Sequence, residues 1–194
     1  MPSIIGLMSF NLQSAICNLQ SLMPLPKDPD CYWVEPGRLM AGEYPGDWTE
    51  RSARKRLRAL INSGVRTFID LTEEGELESY DDWLAEEARA AGVTVAYHRH
   101  SIRDLDVPTS DGMRAILDLI ASAIDAEAPV YVHCWGGIGR TGTVVCCWLV
   151  ERGLSGEQAL VEIALLREGI RKRQIRSPEM DGQQEFVRSW RAVE

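Results

Sequence analysis

From His133 to Gly142 the chain reads His-Cys-Trp-Gly-Gly-Ile-Gly-Arg-Thr-Gly, with the Cys134 thiol and the Arg140 guanidinium flanking three glycines. Residues of these types at this spacing can hold a phosphoryl group and attack it. The amides of Trp135, Gly136, Gly137, Ile138 and Gly139 could wrap an oxyanion, because glycines carry no Cβ to block close approach. Arg140 could grip two oxygens with its planar fork and bind a flattened transition state more tightly than the ground state. Loop amides, a helix N-terminus and Arg140 would together favour the thiolate of Cys134, the nucleophilic form.

That chemistry needs a strand-to-helix turn, and the flanks predict one. Val130-Tyr131-Val132 is a short β-branched and aromatic run after Pro129, and the apolar stretch from Thr143 to Val150 suits a buried helix. Upstream, Arg38 to Gly42 reads as a short strand and Thr49 to Asn62 as a helix stopped by Gly64. Val65 to Leu71 reads as a strand, Ser79 to Ala91 as a helix, Val93 to His98 as a strand, and Ser110 as the N-cap of a helix to Ala126. Downstream, Ser155 to Gln158 has capping-box spacing in a helix from Leu154 to Glu168. Ser177-Pro178-Glu179 orders an N-cap, an N1 proline and a first-turn carboxylate. The expected fold is α/β, a single central and mostly parallel sheet flanked by helices, with a helical C-terminal third.

The bare cysteine–arginine spacing is weak, since Cys146 and Arg152 repeat it inside an apolar helix without glycines. Gly137 to Gly142 also satisfies G-x-G-x-x-G, but a dinucleotide site needs a second strand about 20 residues on, where this chain is helical. No Gly-Lys-Ser/Thr follows at the spacing of a Walker-type loop.

The chain of 194 residues carries 29 acidic and 21 basic side chains, a formal charge of −8, which disfavours nucleic-acid or anionic-membrane partners. Its five cysteines form neither a C-x-x-C pair nor a disulfide framework, so a reducing, cytoplasmic setting is expected. Polar residues interrupt the first 26 residues, giving a poor signal peptide and no membrane span. Three prolines between Met23 and Asp30 mark a linker, so residues 1–30 are expected to form an arm and 31–194 the domain.

The run from His133 to Gly142 resembles the signature loop of the cysteine-dependent protein tyrosine and dual-specificity phosphatases, and Ile102-Arg103-Asp104-Leu105-Asp106-Val107-Pro108 resembles the compact general-acid loop of the dual-specificity branch. Ser177-Pro178-Glu179 with Gln183 resembles a C-terminal element of bacterial members. The resemblance covers Cys31 to the C-terminus and implies a phosphatase that works through a phosphocysteine, without metal or cofactor. Cys134 is then the nucleophile, Arg140 the oxyanion clamp and Asp104 the general acid, with Asp106 as the competing carboxylate that caps or holds its loop. Thr141 is implied to hydrogen-bond the departing thiolate, with helix capping as the alternative. Trp135 to Arg140 would bind substrate, and His133 and Gln183 would support the loop.

Asp70, Glu73 and Glu74 read as solvated turn residues, and the basic stretch Arg167 to Arg176 as a solvated helix end. Cys146 and Cys147 read as small core residues rather than redox partners of Cys134, and His98 and His100 have no metal-ligand spacing. The implied substrate is a phosphoprotein, phosphotyrosine first and phosphoserine or phosphothreonine second. The alternatives are a phosphoinositide, inositol phosphate or RNA 5′-phosphate, and a catalytically idle phosphate-binding scaffold.

Overall fold

The computed structural model describes residues 25–192. Five strands form one sheet in the order β1-β2-β5-β3-β4: β1 Cys31–Glu35, β2 Leu39–Gly42, β3 Thr67–Asp70, β4 Ala96–Arg99 and β5 Val130–His133. β1 and β2 pair antiparallel, and all other neighbours are parallel. The helices are α1 Glu50–Asn62, α2 Asp81–Ala90, α3 Ser110–Asp125, α4 Gly139–Glu151, α5 Gly156–Leu166 and α6 Asp181–Ser189. This is the expected α/β architecture, with α4, α5 and α6 making the helical last third.

Strand pleating divides the core in two. Leu39, Ala41, Ile69, Val130 and Val132 face α3, α4, α5 and α6, whereas Met40, Phe68 and Tyr131 face α1 and α2. Helix α4 is buried at every position from Arg140 to Val150, which explains why its sequence is apolar all round rather than amphipathic.

Register brings Gly42, Asp70, Arg99 and His133 level at one end of the sheet, because Gly42 and Asp70 both pair with His133, and Arg99 with Asp70. The loops leaving β2, β3, β4 and β5 therefore emerge together at the carboxyl edge, where parallel sheets build their sites.

The local readings held with specific exceptions. Thr49 caps α1, and Ser155 with Gln158 forms the capping box of α5. The cap of α3 is Thr109, whose side chain accepts from Gly112 N, rather than Ser110. β4 starts at Ala96, not Val93, and the strand Cys31–Glu35 was not anticipated. Ser177 caps no helix. Its hydroxyl instead donates to Ile138 O at 2.7 Å, and α6 begins four residues later with Gln183 Oε1 accepting from Met180 N.

The arm expected over residues 1–30 lies outside the described residues except for its last six. Of these, Asp28 pairs with Arg56 at 2.8 Å and Asp30 is buried against Arg171 and Lys172. Among the described residues no helix is long and apolar enough to cross a membrane.

Candidate active site

β5 delivers Tyr131 and His133 to one face of the sheet and Cys134 to the other. The loop then curls from Cys134 to the first turn of α4. Gly137 has φ of +70°, and a Cβ there would lie 2.5 Å from the Gly42 carbonyl carbon, so this turn requires glycine twice over. A Cβ on Gly142 would collide with the Ser177 hydroxyl. The loop is thus pressed between the end of β2 and the segment before α6.

Each outward-facing carbonyl of the loop has a donor. Cys134 O meets His133 Nδ1 at 3.2 Å, Trp135 O accepts from Tyr44 N at 2.9 Å, Gly136 O from Lys172 Nζ at 3.1 Å, and Ile138 O from Ser177 Oγ. In a trans peptide the C=O and the next N–H point in opposite directions. Holding these four carbonyls outward turns the N–H groups of Trp135, Gly136, Gly137 and Gly139 toward the concave side, which is the arrangement an oxyanion needs.

Beneath the loop, Cys134 O can only accept, so His133 carries its proton on Nδ1 and its Nε2 accepts from the Tyr80 hydroxyl at 2.6 Å. Burial keeps this ring neutral against the pull of Asp70, whose carboxylate is 4.0 Å from Nδ1. Asp70 is itself fully buried, which corrects its reading as a solvated turn residue. Burial would raise its carboxyl, but the Thr72 hydroxyl and N–H and the Tyr97 hydroxyl donate to it, and it is held below the usual range. Arg99 adds an ion pair at 3.1 Å.

A cavity of about 220 Å³ opens over the loop, lined by Cys134, Trp135, Gly136, Ile138, Gly139 and Arg140, together with Asp104, Leu105, Glu179 and Gln183. Arg140 is only 2% exposed. Its Nη1 donates to Glu76 Oε2 at 2.7 Å and Ile102 O at 3.1 Å, and its Nη2 to Glu76 Oε1 at 2.6 Å, with Asp104 Oδ1 3.0 Å away. Burial disfavours the guanidinium charge, but Glu76 outweighs it, and Arg140 holds Glu76 below the usual carboxylate range.

Asp104 thus reaches the arginine and the cavity, while Asp106 does not. Asp106 Oδ1 accepts from Val107 N, and its carbonyl accepts from Gln183 Nε2 at 3.1 Å. Gln183 is buried and stands beside Gly139. Thr141 Oγ1 is buried on α4 and has no hydrogen-bond partner among the described residues.

Glu76, Glu43 and Tyr80 were not singled out from sequence, and Lys172 was read only as part of the basic stretch from Arg167 to Arg176. The basic stretch is solvated at Arg173 and Arg176, as expected, but its first half has structural roles. Arg167 is buried and donates to Ile175 O and Lys172 O, and Arg171 and Lys172 pair with Glu43. An acidic run leaving a parallel strand at its carboxyl end, as Glu73 to Glu78 does, is the signal that could have pointed to Glu76. Cys146 and Cys147 are fully buried, and desolvation pushes both thiols up. Among the described residues, no grouping of His, Cys, Asp and Glu could hold a metal ion.

Comparison with known proteins agrees with this geometry. A mouse protein tyrosine phosphatase domain-containing protein 1 is 28% identical over 118 residues, covering 57% of this chain and 16% of that protein. The rat cyclin-dependent kinase inhibitor 3 is 26% identical over 113 residues, covering 57% of this chain and 52% of its own length. The chain therefore spans about half or less of these two curated relatives. Among solved structures, the active form of Tk-PTP is 26% identical with a TM-score of 0.66, covering 84% of this chain and 97% of that one. P. aeruginosa TpbA in complex with pTyr, 18% identical with a TM-score of 0.61 over 86% and 87% of the two chains, shares the fold. The family model of the DSP-PTPase phosphatases of polymorphic toxin systems matches residues 44–154, more than half of the chain, and the protein belongs to that family of the dual-specificity and tyrosine phosphatases.

Proposed function

We propose that the protein hydrolyses phosphotyrosine in protein substrates, with phosphoserine and phosphothreonine as secondary substrates, through a phosphocysteine. The observation that carries this reading is the chemistry around the cavity mouth. Trp135 and Leu105 are 59% and 55% exposed there, an apolar rim suited to an aryl ester, while Arg140 is the one basic side chain lining the cavity and Asp104 and Glu179 are acidic.

In this mechanism Cys134 Sγ attacks phosphorus as the ester oxygen leaves, and Asp104 protonates that oxygen. Among the described residues Arg140 Nε has no protein partner, so Nε and the Nη2 hydrogen now facing Asp104 form the fork for two phosphoryl oxygens, while Glu76 holds the opposite edge. Water then attacks the phosphocysteine, Asp104 takes its proton, and the thiolate leaves toward the unpartnered Thr141 hydroxyl. Gln183, buried in the cavity wall beside Gly139, supports the loop and ties it to the acid loop at the Asp106 carbonyl. His133 acts only through the loop, since its ring faces Tyr80. The same reading places a 31–194 phosphatase domain in a reducing compartment, with phosphate itself as a competing ligand.

Inositol phosphates and phosphoinositides are the second reading, supported by fold likeness to PTPMT1, solved in complex with PI(5)P. Such headgroups call for additional cations at the mouth, and Arg171 and Lys172 are already paired with Glu43. Turnover of phosphotyrosine peptides should exceed that of inositol phosphates and RNA 5′-phosphates at equal concentration. A reversed order overturns the protein-substrate reading, and phosphopeptide binding without turnover would make the chain a scaffold.

A further inference from the structure

Lys172 lies 36 residues beyond Gly136, yet its ammonium donates to the Gly136 carbonyl at 3.1 Å and to Glu43 Oε2 at 2.6 Å. Its backbone is gripped on both sides. Asp30 Oδ2 accepts from Lys172 N at 3.3 Å, and Arg167 Nη2 donates to Lys172 O at 3.3 Å. Glu43 is fixed too, because its Oε1 accepts from Asp30 N at 3.0 Å and from Arg171 at 2.8 Å. Burial would raise the Glu43 carboxyl, but the Asp30 N–H and the Lys172 ammonium hold it below the ordinary range, so it stays charged and keeps its hold at neutral pH.

We propose that Lys172, aimed by Glu43, is a positioning residue of the phosphate cradle: by holding the Gly136 carbonyl outward it keeps the Gly137 N–H turned toward the bound oxyanion. Three of the four outward carbonyls are held by donors on rigid backbone or short side chains, namely His133, Tyr44 N and Ser177. Gly136 depends on a long, flexible lysine, which would not stay at one carbonyl without Glu43. It is also the position where the following residue is a glycine in the left-handed region, so this peptide plane meets little steric resistance to turning over. Lys172 thus acts through the loop rather than on substrate. The inference rests on the phosphatase reading only in that the cradle must bind phosphate.

Binding of inorganic phosphate to the full chain by calorimetry, beside kcat and KM for an aryl phosphate, separates aim from charge. Glu43→Gln removes a negative charge, so an effect of charge alone would tighten phosphate, whereas loss of aim weakens it about tenfold. Lys172→Met should weaken it to a similar extent. Arg173→Met removes an equal charge from the same exposed segment, at a side chain that contacts neither Glu43 nor a loop carbonyl, and should change it less than about twofold. Lys172→Arg should restore most of the affinity. Thermal unfolding verifies that each variant folds, and if Glu43→Gln does not, the Lys172→Met and Arg173→Met pair decides. A folded Glu43→Gln that binds phosphate as well as wild type, or equal losses in Lys172→Met and Arg173→Met, overturns the assignment. Wild type that binds phosphate without hydrolysing the ester overturns the enzymatic reading and leaves the binding comparison intact. Wild type that does not bind phosphate overturns both.

Discussion

Cys134 and Arg140 are separated by the same five residues as Cys146 and Arg152, and the two pairs have opposite fates. The second pair lies along α4 and its C-cap, where six positions advance the chain by roughly 9 Å and rotate it by roughly 240°. Its side chains cannot converge. Cys146 is sealed in the core with its thiol pushed up by burial, near Ala159 O at 3.6 Å, while Arg152 stacks 4.1 Å over Trp148 and pairs with Glu35 at the surface. The first pair straddles a glycine turn that folds back on itself, so both groups face one cavity. Spacing becomes chemistry only where the backbone curls between the two residues.

The contrast can be broken by substitution. Cys134→Ser should lower aryl phosphate turnover at least about a thousandfold, whereas Cys146→Ala should stay within about twofold while lowering the unfolding free energy by about 1 kcal/mol. Equal losses in kcat would mean that the spacing, not the turn, matters. Arg140→Lys should cost about a hundredfold in kcat/KM because a lysine cannot reproduce the fork, and Arg152→Lys almost nothing. Glu76→Gln sharpens the comparison, since Arg140 is gripped by both oxygens of Glu76, whereas Arg152 meets Glu35 through a single oxygen. It should reduce kcat/KM about tenfold without unfolding the chain.

The smallest effect concerns the floor beneath the first pair. Asp70 is held below its ordinary range in the folded protein, so its stabilisation is present at neutral pH and is lost as pH falls through the folded value. Asp70→Asn should therefore be less stable than wild type at pH 7, by about 1–3 kcal/mol. The two should converge in acid, as denaturant melts at several pH values would report. A constant gap across pH would show that packing, not charge, makes the difference.

The loop and the outline of the fold were legible in sequence because the loop is contiguous. A phosphate cradle needs successive amides, so its glycines, nucleophile and clamp are neighbours, and the apolar runs on either side announce the strand and the helix. Asp104 was legible through its own short loop. Glu76, Glu43, Tyr80 and Lys172 were not, because they reach the site from other strand ends and from the segment after α5, and their spacing carries no period. Asp70 looked solvated because its pairing with Thr72, Tyr97, Arg99 and His133 exists only once β3, β4 and β5 are side by side. Cys31–Glu35 escaped notice as a strand because it is buried on both faces and shows no alternation.

The donors around the loop also set an order in time. Tyr44 precedes the loop in the chain, whereas Lys172 and Ser177 follow it by more than thirty residues. A growing polypeptide that has reached residue 160 already contains the thiol and the arginine but not two of the groups that turn the cradle inward. Synthesis runs from the N-terminus, so the loop takes its final shape only as the last helices dock. The nascent chain carries its reactive groups for that interval before all four loop carbonyls have their donors.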